Sequence, residues 1–510
     1  MQLLLGIDVG TTAAKAAVFD SHGRTLAVGQ GAYPVRYPRP GWAEQDPEAL
    51  WQGVVTAVRK VTRQLPANAE ITALGLSSQG ATTVLLDEQD HPVRPAMSWM
   101  DMRAADLVPT VEAVLGQEAI YQAIGWPFDA WLPMAHLAWV QQFEAEKWAK
   151  TRRVGFVDSY IKLRLCDRLM TDPSLAGTTG LYDIKAGDWQ PQHLNFVGLS
   201  PVQLPEVAPS TAIVGNLTEA TAKILGLPKP IPVINGAHDQ ISSVTAAGVV
   251  QPGQALVGTG TAWVIVGVAL EPVYDLAHQL TLEPHTVPGL WCPFRTQGGV
   301  GGAVDWLISS VLSGLGGKQK HEALYASLNK HVIDSPVGAK GLIFLAPRRR
   351  PDANGHLSGL TLSHTSGDVG RALMEGIACD LSLMANEMQA AGMQMESLTM
   401  TGGATYSSVW PNIVADMLNL PLRIPEMAEA GARGGAILAS VGSGIYPNVQ
   451  AAITAFVLPG KQVLPNPVNR ACYDELLAQY RQLDHHFAQE THYEAIRQTG
   501  SMSRLTLGQP

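Results

Sequence analysis

Two glycine- and threonine-rich turns, each gripped by apolar segments, stand about half a chain apart: Gly6-Ile-Asp-Val-Gly-Thr-Thr12 and Gly258-Thr-Gly-Thr261. A turn of this kind joins two strands and presents backbone N–H groups to an anion, while threonine hydroxyls add donors. One such clamp in each half of a chain can close, with its partner, on a nucleotide triphosphate tail. Apolar runs over 2–7 and 13–19 flank the first turn, and Ser21-His-Gly-Arg24 leads into 25–28, which predicts an antiparallel meander. Runs over 254–257 and 263–266 repeat this theme around the second turn. The echo predicts two similarly built α/β lobes.

At 510 residues the chain exceeds one ordinary core. The expected division is an N-terminal lobe over 1–246, a C-terminal lobe over 247–460, and a helix with a loose tail over 461–510. Hydrophobic residues make up 46% and charged residues 15%, a composition that leaves little room for disorder. A net charge of −9 argues against a sequence-independent grip on nucleic acid, which needs a dense basic face. Cys166, Cys292, Cys379 and Cys472 form no Cys-x-x-Cys pair and read as buried free thiols. The N-terminus lacks a basic leader and runs straight into Asp8, and no apolar stretch approaches the roughly 20 residues of a membrane span. A cytoplasmic protein without membrane partners is expected.

Asp46-Pro47 reads as a helix start, followed by Leu50, Val54, Ala57, Val58 and Val61 at helical spacing. Residues 73–76 read as a strand ending at Ser77-Ser-Gln-Gly80, with 82–86 as its hairpin or parallel neighbour. Residues 103–170 read as mainly helical, and 230–236 as a short buried strand that ends in a loop carrying His238, Asp239 and Gln240. Further on, a long helix is expected over 367–391, a strand over 397–400, helices from Ser408 and near Gly431, and a last helix over 473–490.

The candidate site residues carry distinct chemistry. Gly10, Thr11 and Thr12 form the first clamp, and Asp8 beside phosphates makes sense with a bound Mg²⁺. Lys15 either reaches a phosphate or simply points outward from a strand. Gly258, Thr259, Gly260 and Thr261 form the second clamp, and Gly402, Gly403 and Ala404 lie between a strand and a helix where a backbone can approach adenosine. Asp239 is either a turn-forming aspartate or the carboxylate that accepts a proton from an attacking hydroxyl. Trp99, Asp101 and Arg103 occupy alternate positions, one side of an extended segment, and suit either a surface ion pair or a polyol pocket. His238 lacks a second ligand at metal spacing, and Arg348, Arg349 and Arg350 read as a solvated loop or a small phosphate site.

In this order the segments resemble the FGGY carbohydrate kinases, two-lobed members of the actin-like (ribonuclease H-like) ATPase fold. The likeness rests on Gly6 to Thr12, Gly41-Trp-Ala-Glu-Gln-Asp-Pro-Glu48, Trp99 to Arg103, Thr171-Asp-Pro-Ser174, Gly236 to Gln240, Gly258 to Thr261, Gly359-Leu-Thr-Leu-Ser-His364, and Thr401-Gly-Gly-Ala404 with Trp410 and Asp416. The resemblance implies ATP-dependent phosphorylation of a sugar hydroxyl, with Asp239 as general base, Asp8 helping to hold Mg²⁺, and Gln79, Gly80, Trp99, Asp101, Arg103, Asp239 and Gln240 lining the sugar site between the lobes. It also implies a homodimer by analogy.

Departures bear on the substrate. Glycerol kinases carry Arg-Glu after the glutamine at position 79, and xylulose kinases Met-His, whereas this chain has Gly80-Ala81, small residues that would open the pocket. The loop usually read Gly-Glu-Arg-Thr-Pro is Pro347-Arg-Arg-Arg-Pro351 here. A ketopentose such as D-xylulose is the expected substrate. Ribulose, another polyol or hexonate, and glycerol are the alternatives, and a non-catalytic actin-like sugar sensor is the reading from another class.

Overall fold

The computed structural model describes residues 2–66, 69–260, 262–275, 277, 280–308, 328–345, 355–457 and 460–489. Thr261, the arginine loop at 348–350 and the tail beyond 489 lie outside these described residues.

The chain opens as the meander its sequence predicts: β1 (Gln2–Val9), β2 (Ala13–Asp20) and β3 (Thr25–Ala32), each antiparallel to the next. Helix α1 (Pro47–Thr62) follows, with the Asp46 side chain accepting from the Glu48 N–H and Pro47 in the first turn. Its Leu50, Val54, Ala57, Val58 and Val61 bury one face in the core of this lobe, which removes apolar area from water at roughly 25 cal/mol per Å². Strands β4 (Glu70–Ser78), β5 (Ile213–Asn216) and β6 (Pro232–His238) complete a six-stranded sheet of order β5-β6-β4-β1-β2-β3. Its centre is parallel, β1 with β4 and β4 with β6. The strand Thr83–Leu86 does not join β4. It pairs antiparallel with Arg153–Phe156 in a separate five-stranded sheet, because Ala81 adopts a left-handed φ of 51° that turns the chain out of the first sheet.

After β6 the chain enters helix α2 (Asp239–Ala246) and then rebuilds the same theme. Strands β7 (Gly253–Thr259), β8 (Trp263–Gly267), β9 (Thr281–Pro284), β10 (Trp291–Gln297), β11 (Met395–Gly402), β12 (Leu422–Ile424) and β13 (Lys461–Val463) form a sheet of order β9-β10-β8-β7-β11-β12-β13. Strand β7 is antiparallel to β8 and parallel to β11, as β1 is to β2 and β4. Among the helices of the C-terminal half are α3 (Ser366–Ala390), α4 (Trp410–Leu418), α5 (Ala430–Gly442) and α6 (Arg470–Gln489).

Two helices cross the seam between the sheets. Ile241 and Val244 of α2 pack with Leu256, Val266 and Phe294 of the second sheet. Ala432, Ala436 and Ile437 of α5 pack with Leu4, Ala17 and Ala73 of the first. A Cβ on Gly6 would run into the carbonyl oxygen of Ala432, so only glycine lets α5 lie this close to β1. Each lobe is thereby covered in part by a helix that follows the other lobe's strands.

Candidate active site

The ends of β1, β6, β7 and β11 converge on the seam, the place where open α/β sheets put ligands. Asp239 was expected in a loop. It is instead the first residue of α2, where the positive end of the helix dipole meets its carboxylate. Its side chain is 37% exposed. Asp8, near the end of β1, accepts from Ser77 Oγ at 2.8 Å. Burial, with Asp239 and Glu429 nearby, pushes the Asp8 carboxyl up to about 7, against the opposing pull of Ser77 and Lys15. Residue Gly431 at the start of α5 sits against this carboxyl, and a Cβ there would lie 2.5 Å from the Asp8 Cγ.

Lys15, opposite Asp8 in the β1–β2 register, forms an ion pair with Glu429 at 3.2 Å. Glu429 holds a left-handed φ of 50° at the N-cap of α5, a conformation costly for a non-glycine residue. In the first clamp, Thr11 Oγ1 accepts from Trp99 Nε1 at 3.0 Å and its carbonyl accepts from Gln45 Nε2 at 2.7 Å. The Gly10 carbonyl accepts from Tyr33 Oη at 2.6 Å, and Thr12 is exposed.

A cleft of about 460 Å³ brings Gly258, Thr259 and Gly260 together with Gly402, Gly403 and Gln240, and reaches Tyr406, Glu429 and Ala430. The second clamp and the glycine pair after β11 therefore share one cavity. The Thr259 hydroxyl does not face that cavity: it donates to the Thr401 carbonyl at 2.7 Å and accepts from the Ala404 N–H at 3.1 Å, tying β7 to β11. Ala404 is itself buried. Gln240 lines this cleft with its Oε1 buried and unpartnered.

Around the residues expected to line the sugar site the structure corrects three expectations. Trp99 to Arg103 is a turn rather than an extended segment, closed by Asp101 N–H to the Ser98 carbonyl at 2.8 Å. Trp99 therefore faces out at 43% exposure, while Asp101 and Arg103 are fully enclosed. Arg103 pairs with Asp101 at 2.7 Å and Glu44 at 2.8 Å, and its guanidinium lies 3.6 Å from the Trp42 ring centroid. Burial opposes ionisation of Asp101, but Arg103 and the Ala43 N–H bond it and hold its carboxyl below the ordinary range. Both side chains are closed off from solvent by these partners, which is the ion-pair reading of the segment moved into the interior. The third correction concerns Gly80. A Cβ there would meet Thr178 Cγ2 at 2.8 Å, and the Ala81 N–H donates to Thr178 Oγ1, so the space expected beside Gly80 is filled. Gln79 remains a ligand candidate: its Nε2 donates to Gln45 Oε1 at 3.0 Å and its own Oε1 is buried without a partner.

Sequence reading missed Ser77, Glu429, Gln45, Thr178 and the brace behind Asp239. In that brace Ser174 Oγ accepts from the His238 N–H at 2.9 Å and bonds Asp172, which also accepts from Ser210 at 2.8 Å. The Thr171-Asp-Pro-Ser174 motif was the only signal, and its position in the chain does not say what it touches.

Among the described residues no three His, Cys, Asp or Glu side chains stand ready to hold a metal ion. The chemistry fits a magnesium ion all the same, since Mg²⁺ is commonly held by one or two carboxylates, water and substrate phosphates. Asp8, Asp239 and Glu429 gather negative charge at one place with Lys15 as counter-charge, and Asp8 is buried at that place. Among the described residues no helix is long and apolar enough to cross a membrane.

A two-lobed α/β protein with duplicated sheets and a glycine turn at the matching strand end of each defines a nucleotide-handling class, and comparison with known proteins narrows it. The family model of the N-terminal domain of FGGY carbohydrate kinases matches residues 3–246, and that of the C-terminal domain matches 255–443. The chain belongs to the FGGY family of carbohydrate kinases, and its fold is the two-domain actin-like one. It is 27% identical to a xylulose kinase of Staphylococcus epidermidis over 94% of this chain and 96% of that protein. It is 31% identical to a glycerol kinase of Polaromonas naphthalenivorans over 88% and 92%. The crystal structure of a xylulose kinase from Rhodospirillum rubrum superposes with a TM-score of 0.89 at 28% identity, covering 96% of this chain and 100% of that one.

Proposed function

We propose that this carbohydrate kinase moves the terminal phosphoryl group of ATP to a hydroxyl of a ketopentose such as D-xylulose, with Asp239 as general base. The observation that carries the reading is the Asp239 carboxylate at the N-terminus of α2, half-exposed to the seam and close to Asp8. The sugar lies on the Trp99 and Gln79 side, and the nucleotide in the 460 Å³ cleft. Asp239 takes the proton of the attacking hydroxyl, and that oxygen bonds to phosphorus as the bond to the ADP oxygen breaks. Asp8 is the residue that would hold Mg²⁺, which supplies positive charge to the phosphate oxygens. Glycine backbone at 258, 260, 402 and 403 leaves room for phosphate and adenosine, and Lys15 holds Glu429 at the rim. Lobe closure would keep water from taking the phosphoryl group.

Asp239→Asn is expected to lower kcat by roughly 10²–10⁴-fold while the variant still binds nucleotide. Turnover at the parental rate would remove the assignment. ADP release measured over D-xylulose, ribulose, gluconate, erythritol and glycerol decides the sugar. A rate for glycerol above all ketopentoses would overturn the substrate proposed here.

A further inference from the structure

Directly before Asp239 stands a histidine that the phosphoryl-transfer scheme leaves idle. Both nitrogens of its ring face carboxylates. His238 Nδ1 lies 3.0 Å from Glu283 Oε2, and Nε2 lies 3.3 Å from Asp239 Oδ1. Glu283 is fully buried, and its second oxygen has no partner. Glu283 accepts from Nδ1, and a second carboxylate 3.3 Å from Nε2 repels a ring lone pair and favours a proton there, so the pair of carboxylates favours a ring with both nitrogens protonated. A buried anion with no cation beside it would be costly, which makes the imidazolium the counter-charge of Glu283 and sets a positive charge beside Asp239.

We infer that His238 and Glu283 are positioning residues for Asp239: Glu283 holds the His238 ring in its doubly protonated form, and the charge on the ring draws one Asp239 oxygen toward it so that the other is left to the sugar hydroxyl. The inference rests on Asp239 being the base. The contact spans the two halves of the chain, since His238 ends β6 and Glu283 lies on β9. Strand β9 is also tied to the N-terminal half by the Leu282 N–H, which donates to the Gly125 carbonyl at 2.7 Å. The main chain of His238 is braced independently by Ser174.

The other charged or titratable groups around the ring agree with this assignment. Asp172 adds negative charge from the start of the short helix Pro173–Gly177, and the Cys292 thiol, opposite Glu283 in the β9–β10 register, is pushed up by burial and stays neutral. Burial works against the charged ring, but Glu283 and Asp239 outweigh it and raise His238 to about 9. Burial also pushes Glu283 upward, and the imidazolium draws it back.

The test uses the full chain. Ring ¹⁵N shifts of His238, assigned by comparison with His238→Asn, should show both nitrogens protonated near neutral pH and a titration near the value above. Glu283→Gln keeps the shape and one acceptor but removes the charge. It should lower kcat by about tenfold or more and move the alkaline limb of the kcat profile down by about one pH unit, with KM for ATP within about twofold. A merely structural Glu283 would leave that limb where it is. A neutral His238 ring in the parental enzyme near neutral pH overturns the inference, and so does an unmoved alkaline limb in Glu283→Gln. If Glu283→Gln does not fold, the ring measurement on the parental enzyme decides. Turnover by Asp239→Asn would sink the base assignment instead and leave the ring measurement standing.

Discussion

Gln79 shows how a single buried side chain can be prepared for a ligand, and on the function proposed above that ligand is the sugar. Its amide nitrogen is committed to Gln45, and Gln45 in turn holds the Thr11 carbonyl of the first clamp. Its amide oxygen is buried and bare, and a buried acceptor without a partner costs about 1–3 kcal/mol, which a sugar hydroxyl would offset. Gln79→Leu should therefore raise KM for the sugar by about tenfold and leave KM for ATP nearly unchanged, as steady-state kinetics would show. An unaltered sugar KM would mean that this oxygen does not face the ligand. At this scale sequence reading singled out Gln79, Asp8 and Asp239 as residue types suited to the chemistry. It placed Asp101 and Arg103 beside the sugar because alternation was read as an extended segment, whereas a turn at Ser98 sends both inward. The small pair Gly80-Ala81 was read as open space, but Thr178, almost a hundred positions away in the chain, fills it.

Helices α1 and α5 show two degrees of legibility among elements. The start of α1 is local chemistry: Asp46 accepts from the Glu48 N–H and Pro47 presets the first turn. Asp46→Ala should cost about 1 kcal/mol in a denaturant titration, and a loss near zero would show that the cap is redundant. Helix α5 was visible only as a glycine-rich helix start. Which sheet it covers depends on the fit of Ala432 against Gly6, two positions more than four hundred residues apart. Gly6→Ala would force a methyl group into the Ala432 carbonyl, and overpacking of this sort typically costs about 1–3 kcal/mol. The melting temperature should fall, and turnover should fall with it because the same helix carries Gly431 against Asp8. A Gly6→Ala protein with parental melting and activity would show that α5 can shift freely.

Across the whole molecule, buried histidines make folding stability depend on pH. Burial lowers His136 and His285 from an ordinary 6.5 to about 4 each. The His285 ring accepts from the Val287 N–H through Nδ1, so it is neutral in the folded chain, and Nε2 donates to the Val249 carbonyl. Between the folded and unfolded values the unfolded chain binds more protons, so stability rises with pH there and is lost as pH falls from about 6.5 toward 4, at up to about 1.4 kcal/mol per unit for each ring. His238 has the opposite sign: its folded value is raised, so its contribution is full below 6.5 and disappears as pH climbs through about 9. Thermal melts over this range should therefore peak between the two limbs. A melting temperature that keeps rising as the pH is lowered below 5 would contradict the neutral burial of His136 and His285.

By itself the amino-acid order determined the repeated strand–turn–strand units, the principal helices and the residue types of a phosphotransferase, because periodicity, capping and glycine turns act over a few neighbouring residues. The three-dimensional packing decided what those residues face: Thr178 beside Gly80, Glu429 beside Lys15, Glu283 beside His238. These contacts join positions that only folding brings together, and the burial that sets their charge states exists only once the sheets and their crossing helices have closed over them.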